Sequence, residues 1–191
     1  MSEINCNDLI RGLNPVCAAI KKVGGVDKTC YAAPKDRLTF TYDSDGYMNT
    51  VSISLNGSLP GKLYKLTGRD DKNSWSTPLT VGENINTFNH TANFLAYYST
   101  PTEIDTIEKI IGVDKLVFFY QNNDGNIVVL GWDKGVKASA GEGGSGVLLN
   151  DTTAYSLTFS GENRGKEKIF RINSSATLAQ NLAYLDNIAS Y

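Results

Sequence analysis

The sequence predicts a mainly β (α+β) domain: a β-sandwich or small barrel of antiparallel strands with one α-helix packed on it, at about 101–111. Three observations carry this expectation. Short segments alternate apolar and polar residues with a period of two, the mark of strands buried on one face. Turn sequences such as Asp43-Ser44-Asp45-Gly46 separate them. One segment alone joins a helix start signal to a helical stripe. A chain of 191 residues, 41% apolar and 20% charged, is long enough to bury a core as one domain without metals or disulfides.

Taken in order, residues 1–23 read as an N-terminal arm. Within it, LIRGLNPVCAAIKKV has the apolar positions of a short helix, interrupted at Gly12 and Asn14-Pro15. The main domain spans 24–173. Its first strand is VDKTCYAA, with Val26, Lys28, Cys30 and Ala32 on one face and Thr29 and Tyr31 on the other. RLTFTY follows, with Leu38, Phe40 and Tyr42 on one face. In YMNTVSISL, Tyr47, Asn49, Val51, Ile53 and Leu55 alternate with Met48, Thr50, Ser52 and Ser54, which predicts a dry face and a polar one.

After the loop NGSLPG, KLYKLTGRD places Tyr64 between Leu63 and Leu66. DDKNSWSTP reads as a polar loop. LTVGENINTFNHTANFLAYYST does not keep its period, so a bulge or bend is expected there. Thr100-Pro101-Thr102-Glu103 is a capping box with proline at the first helical position. Ile104, Ile107, Ile110 and Ile111 then form one stripe, and Gly112 stands where a left-handed stop belongs.

KLVFFY is apolar throughout, so it should be a central strand. NNDGN turns it into NIVVLGWDKG. VKASAGEGGSGVLL reads as a flexible, glycine-rich loop. In NDTTAYSLTFSGE, Tyr155, Leu157 and Phe159 point inward and Ser156, Thr158 and Ser160 outward. KEKIFRI is the last strand. Residues 174–191 read as a C-terminal arm, in which Leu178, Leu182, Leu185 and Ile188 share a helical face.

Composition excludes several functions. The net charge is −2 and the pI about 5.4, without the basic excess of a nucleic-acid binder. No apolar run approaches the roughly 20 residues that span a bilayer. MSEINCNDLIRG has neither a basic nor an apolar stretch of the secretory kind, so no signal peptide is expected. Cys6, Cys17 and Cys30 are odd in number and lack CxxC spacing, which predicts reduced thiols. His90 lies far along the chain from all three, so a zinc site is not expected.

Catalytic constellations are missing as well. GEGGSG at 141–146 lacks the lysine of a phosphate-binding loop. His90 has no GxSxG partner. Asp43 and Asp45 open an EF-hand-like run, but Ile53 and Ser54 stand near its twelfth position, where calcium needs a glutamate. Asp124 and Asp151 add no ligand pattern, and sequence spacing is silent on paired carboxylates in a β fold. The expectation is a protein with no catalytic residues, metal or cofactor.

GGVDKTCYAAPKDRLTF resembles the first strands of tail tube and related virion proteins of phages that infect Bacteroidetes-type hosts. NIVVLGWDKGVKASAGEGGSGVLLNDTTAYSLTFSGEN is similar to their late segment, in which a strand ending in Gly-aromatic meets a glycine-rich loop and an Asp-headed strand. The likeness covers about two-thirds of the chain and leaves 56–100 outside it. It implies a tail-tube-like β-sandwich or barrel that forms hexameric rings, stacked into a conduit for DNA. The implied partners are other copies of the chain, tail or connector proteins, and DNA in non-specific transit. The implied place is the virion tail, after synthesis in the host cytoplasm, with no membrane contact.

On that reading, subunit contacts are expected at Leu9, Leu13, Val16, Tyr64, Trp75, Leu182 and Tyr184, with both arms clamping neighbours. Asn49, Thr50, Ser52 and Ser54 are the expected lumen residues. A different class of function, a capsid-decoration or host-attachment module, would instead use an aromatic patch around Trp75 and Trp132.

Overall fold

The computed structural model describes residues 25–44, 46–53, 63–68, 72–97, 100–144 and 154–190. The strands are β1 (Val26–Pro34), β2 (Leu38–Tyr42), β3 (Met48–Ile53), β4 (Leu63–Thr67), β5 (Ser74–Ser76), β6 (Leu79–Thr80) and β7 (Thr87–Tyr97). Helix α1 (Pro101–Ile111) follows, then β8 (Leu116–Asn122), β9 (Ile127–Leu130), β10 (Lys137–Gly144), β11 (Ala154–Asn163) and β12 (Lys168–Phe170). The chain ends with α2 (Leu178–Ile188) and β13 (Ala189–Ser190). The mainly β, sandwich-like class expected from the alternation is the one observed.

The strands form two sheets. One has eight strands in the order β13-β4-β1-β8-β9-β12-β3-β2. The other has the order β10-β11-β7-β5, with β6 also on β7. All pairings are antiparallel except β12 with β3 and β13 with β4. One core lies between the sheets, where Cys30, Phe118, Tyr120 and Leu130 meet Ala92, Phe94, Leu157 and Phe159. A second core lies on the other side of the eight-stranded sheet, where Tyr31, Val117, Phe119, Val129 and Phe170 meet Leu185 of α2. The layers therefore run sheet, sheet, helix. A strand with helix on one side and sheet on the other has no wet face, which explains the unbroken apolar runs of β8 and β9.

The eight-stranded sheet is also curled. β1 and β2 stand five intervals apart, about 24 Å in a flat sheet at the usual strand spacing. Yet the chain passes from Pro34 to Leu38 through one 3-10 turn, Lys35–Arg37, and four residue steps reach about 14 Å at most. Only a curled sheet brings both strands within that reach. Leu38 of β2 and Leu63 of β4, from opposite flanks, accordingly join the same core around α2.

Several local expectations change. DDKNSWSTP is not only loop: Ser74–Ser76 pairs with β7 as β5. Residues 137–144 of the glycine-rich stretch are strand, paired along β11 with one register shift near Ala138. β7 carries no bend; its register with β11 is continuous from Phe88 to Tyr97. Its apolar period looked broken because inward His90 and Ala92 are small or polar and still buried. Gly112 ends α1 with a right-handed φ of −73°, not a left-handed one. Met48 leaves the polar face assigned to it. A register shift in β2–β3 turns it inward, and it is fully buried in the second core beside Leu38, with Phe40 packed partly buried against that core.

The C-terminal segment is not a free arm. Thr177 caps α2 through a capping box with Gln180, and Leu185 is completely buried. β13 then adds beside β4. Asp186 of α2 accepts hydrogen bonds from Lys65 Nζ (2.7 Å) and Tyr31 Oη (2.8 Å). Burial alone would raise its pKa, but these two donors outweigh burial and lower it. The α1 capping box forms as expected, with Thr100 and Glu103 exchanging hydrogen bonds. Leu185→Ala should cost about 2–5 kcal/mol in urea denaturation, as for other cavity-forming core truncations, whereas Ile104→Ala on the exposed side of α1 should cost far less.

Candidate functional site

The chain crosses from one sheet to the other between β9 and β10, and buried polar groups hold that crossing. Gly131 follows β9 with φ +73°, and a Cβ there would stand 2.7 Å from the Leu116 carbonyl oxygen, so glycine is required. Its N–H donates to Nδ1 of His90 on β7 (2.9 Å). His90 is therefore the Nε2–H tautomer, and Nε2 donates to the Gly165 carbonyl (2.8 Å). Burial lowers the pKa of the imidazole, against the opposing pull of the Gly165 carbonyl and of the Glu167 and Asp133 carboxylates. Both ring nitrogens are committed to backbone, so the residue acts as a pin and has no nitrogen left for a metal or a substrate.

Asn163 of β11 does similar work on the same turn. It accepts from Lys134 N–H (2.9 Å) and donates to the Gly161 carbonyl (3.0 Å). Asn73 joins the sheets at another point. It donates to the Lys28 carbonyl (3.2 Å) beside β4 and accepts from Leu95 N–H of β7 (3.1 Å). Among the described residues, no buried side-chain polar atom lacks a partner.

A hollow of about 320 Å³ lies beneath α1, lined mostly by Leu66, Phe94, Ile107, Ile110, Leu157 and Phe159. Three polar side chains of its rim are engaged elsewhere. Thr106 Oγ1 donates to the Thr102 carbonyl, Glu103 belongs to the capping box, and Lys65 pairs with Asp186. No group of three or more His, Cys, Asp or Glu that could hold a metal occurs among the described residues. Asp43 is bound by Arg171 and by Tyr47 N–H, and Asp124 accepts from Asn126 N–H, so both serve their turns.

What the molecule does present is the outer side of the five-stranded sheet. Ser74 and Ser76 of β5, Thr91 and Asn93 of β7, and Ser156, Thr158 and Ser160 of β11 share that side, opposite the buried Ala92, Phe94, Leu157 and Phe159. Their side chains link across strands. Asn93 donates to Ser74 Oγ (3.0 Å), and Thr158 Oγ1 donates to Asn93 Oδ1 (3.0 Å). β5, β6, β7 and β11 contain no lysine or arginine. Charge enters at the borders, with Lys137 and Glu142 on β10 and Glu162 near the end of β11.

Both borders of this sheet are unpaired among the described strands. β10 is one, and β5 with β6 forms the other. The second border is followed by an apolar cluster. Leu79, Val81 and Ile85 are 53%, 75% and 58% exposed. Single exposed apolar residues are ordinary; here three fall within one short segment.

The residues singled out from sequence fall in different places. Leu9, Leu13, Val16 and Ser54 lie outside the described residues, as do Cys6, Cys17, Asp45 and Asp151. Tyr64 is exposed on β4. Leu182 and Tyr184 pack into the chain's own second core, Tyr184 against Phe170. Trp75 packs on the first core and donates to Asn122 Oδ1 (2.8 Å). Trp132 packs on the second core and donates to the Lys166 carbonyl (2.7 Å). The two tryptophans thus belong to different cores. Asn49, Thr50 and Ser52 lie on β3, in the other sheet from the open polar face. Alternation alone places Ser156, Thr158 and Ser160 outward, but only sheet pairing joins them to Ser74 and Asn93, whose strands are distant in sequence.

No protein-family model and no curated protein matches the chain. Among the described residues, no helix is long and apolar enough to cross a membrane.

The His90 pin has a pH consequence. Its folded pKa lies below the ordinary 6.5, so protonation favours the unfolded chain. The stability that rests on neutral His90 is complete above about pH 6.5 and is lost as pH falls below it. The urea midpoint should decline from pH 7 to 5, and His90→Gln should start lower but flatten that decline. Asp133, held at about 2 chiefly by its hydrogen bond from Arg164, titrates below this window.

Proposed function

We propose that the protein is a structural subunit of a phage tail tube, in which copies join into hexameric rings and rings stack into a conduit for DNA. The observation that carries this reading is the pair of opposite open borders on the five-stranded sheet. An unpaired strand edge presents a row of backbone donors and acceptors and is a template for another strand. A sheet open at both ends, with different edges, joins copies head to tail, and such heterologous contacts close into a ring when the rotation permits. β10 of one copy adds to the β5–β6 border of the next, and Leu79, Val81 and Ile85 cover that seam.

The chemistry of the chain supports an architectural role. Among the described residues, His90 and the buried asparagines are spent on backbone, and Glu103 and Lys65 beside the hollow are paired. The resemblance at residues 24–40 and 126–163 supports the virion setting. A decoration or host-attachment module would want a joint aromatic patch, and Trp75 and Trp132 are held in separate cores.

Negative-stain microscopy and ultracentrifugation of the purified full chain test the proposal. Rings or tubes are expected; compact single particles at all concentrations would overturn it. Val81→Asp with Ile85→Asp should raise the concentration needed for assembly by about tenfold or more, equivalent to about 1.4 kcal/mol per tenfold, while leaving the circular dichroism of the monomer unchanged.

A further inference from the structure

We propose that the hollow beneath α1 is the seat of residues 9–16 of the same chain, with Leu13 and Val16 entering it. This inference is independent of the tube reading, because the segment and the hollow belong to one molecule. Three observations carry it. The first is the hollow and its border. Leu66 of β4, Phe94 and Ala96 of β7, Leu157 of β11 and Ile107 and Ile110 of α1 line about 320 Å³ of space. Apolar surface left to water is unfavourable, and cover by further apolar side chains removes that cost. Beside the hollow, β4 is only partly paired on the side away from β1. β13 lies along Leu63 and Tyr64, and no described strand lies along Leu66 and Thr67 on that side. That open stretch offers backbone donors and acceptors to an entering segment.

The second is reach. The described residues begin at Gly25, whose carbonyl accepts from Asn123 N–H (3.2 Å). Lys28 is three residue steps further on, at most about 11 Å away. Its carbonyl accepts from Gly68 N–H (2.7 Å), and Gly68 directly follows Thr67 of β4. Residues 17–24 span up to about 26 Å when extended, enough to carry the segment to the hollow. A segment tethered so closely faces its site at an effective concentration on the order of millimolar. The third is charge. Residues 9–23 carry Arg11, Lys21 and Lys22 and no acidic residue. α1 carries Glu103, Asp105 and Glu108 against Lys109 alone, and Glu103 stands at the rim of the hollow. Opposite charges set the segment along the helix, and Leu9, Leu13 and Val16 supply apolar side chains at intervals of four and three.

Disulfide trapping tests the seat in the full chain, at concentrations where ultracentrifugation shows monomer. Cys6→Ser and Cys17→Ser leave Cys30, which is buried. Leu13→Cys is then combined with Thr106→Cys at the rim, or with Ser174→Cys in the exposed turn before α2 as a reference. In a glutathione buffer, where glutathione disulfide takes up the electrons, the rim pair should close within the monomer about tenfold faster than the reference pair. Equal rates overturn the proposal. So does a rim disulfide that links two chains, which would move the segment to a neighbour. Limited trypsin digestion gives a second readout with the sequence of the segment intact. Thr106→Trp narrows the mouth of the hollow and should speed cleavage after Arg11 about tenfold; an unchanged rate overturns the proposal. Rings or tubes formed at higher concentration bear on the tube reading alone, and both readouts are taken on monomer.

Discussion

The double burial of β1, β8 and β9 is the constraint on which the rest of the molecule depends. These strands carry apolar side chains on both faces, so each face needs its own cover. The five-stranded sheet covers one and α2 covers the other. The two covers are recruited differently. The sheet arrives through a crossing turn locked by His90 and Asn163, and the helix arrives at the chain end, tied down by Asp186 through Lys65 and Tyr31. Curling of the eight-stranded sheet follows from the same demand, since a flat sheet would leave Leu38 and Leu63 too far apart to share one core.

Polar groups inside the molecule secure the joints. Asn73 bonds to backbone on both sheets, and His90 and Asn163 bond to backbone at the sheet crossing. A hydrogen bond to a main-chain group deep in a core adds modest net stability, but leaving that group unmade is costly. This asymmetry ties each joint to one geometry. It also uses up the residues that would otherwise suggest chemistry, the lone histidine above all. Among the described residues, the five-stranded sheet has two unpaired borders, with exposed Leu79, Val81 and Ile85 beside one of them, and the eight-stranded sheet ends in β13 and β2.

Much of the fold was legible in the chain. Period-two alternation located the principal strands, the NNDGN turn set the β8–β9 hairpin, and the Thr100 capping box set α1. Other elements were hidden for physical reasons. β5 is a short polar strand whose pairing depends on β7, and β10 is glycine-rich, held by its ladder to β11 and not by propensity. Met48 was assigned to the wrong face because an irregularity in pairing reverses the alternation, and alternation is all that a sequence displays. The helical stripe of Leu178, Leu182, Leu185 and Ile188 was visible, but its docking partner was not, so a docked helix read as an arm.

Local chemistry therefore determined the principal strands, the β8–β9 turn and the N-terminal cap of α1, because each depends on residues near one another along the chain. Tertiary structure decided which strands neighbour which, where α2 docks, what His90 holds and which polar residues form one surface. Those outcomes depend on contacts between distant segments. Ser74, Asn93 and Thr158 illustrate the division: each is an ordinary outward polar residue in its own strand, and only sheet pairing makes them one continuous face.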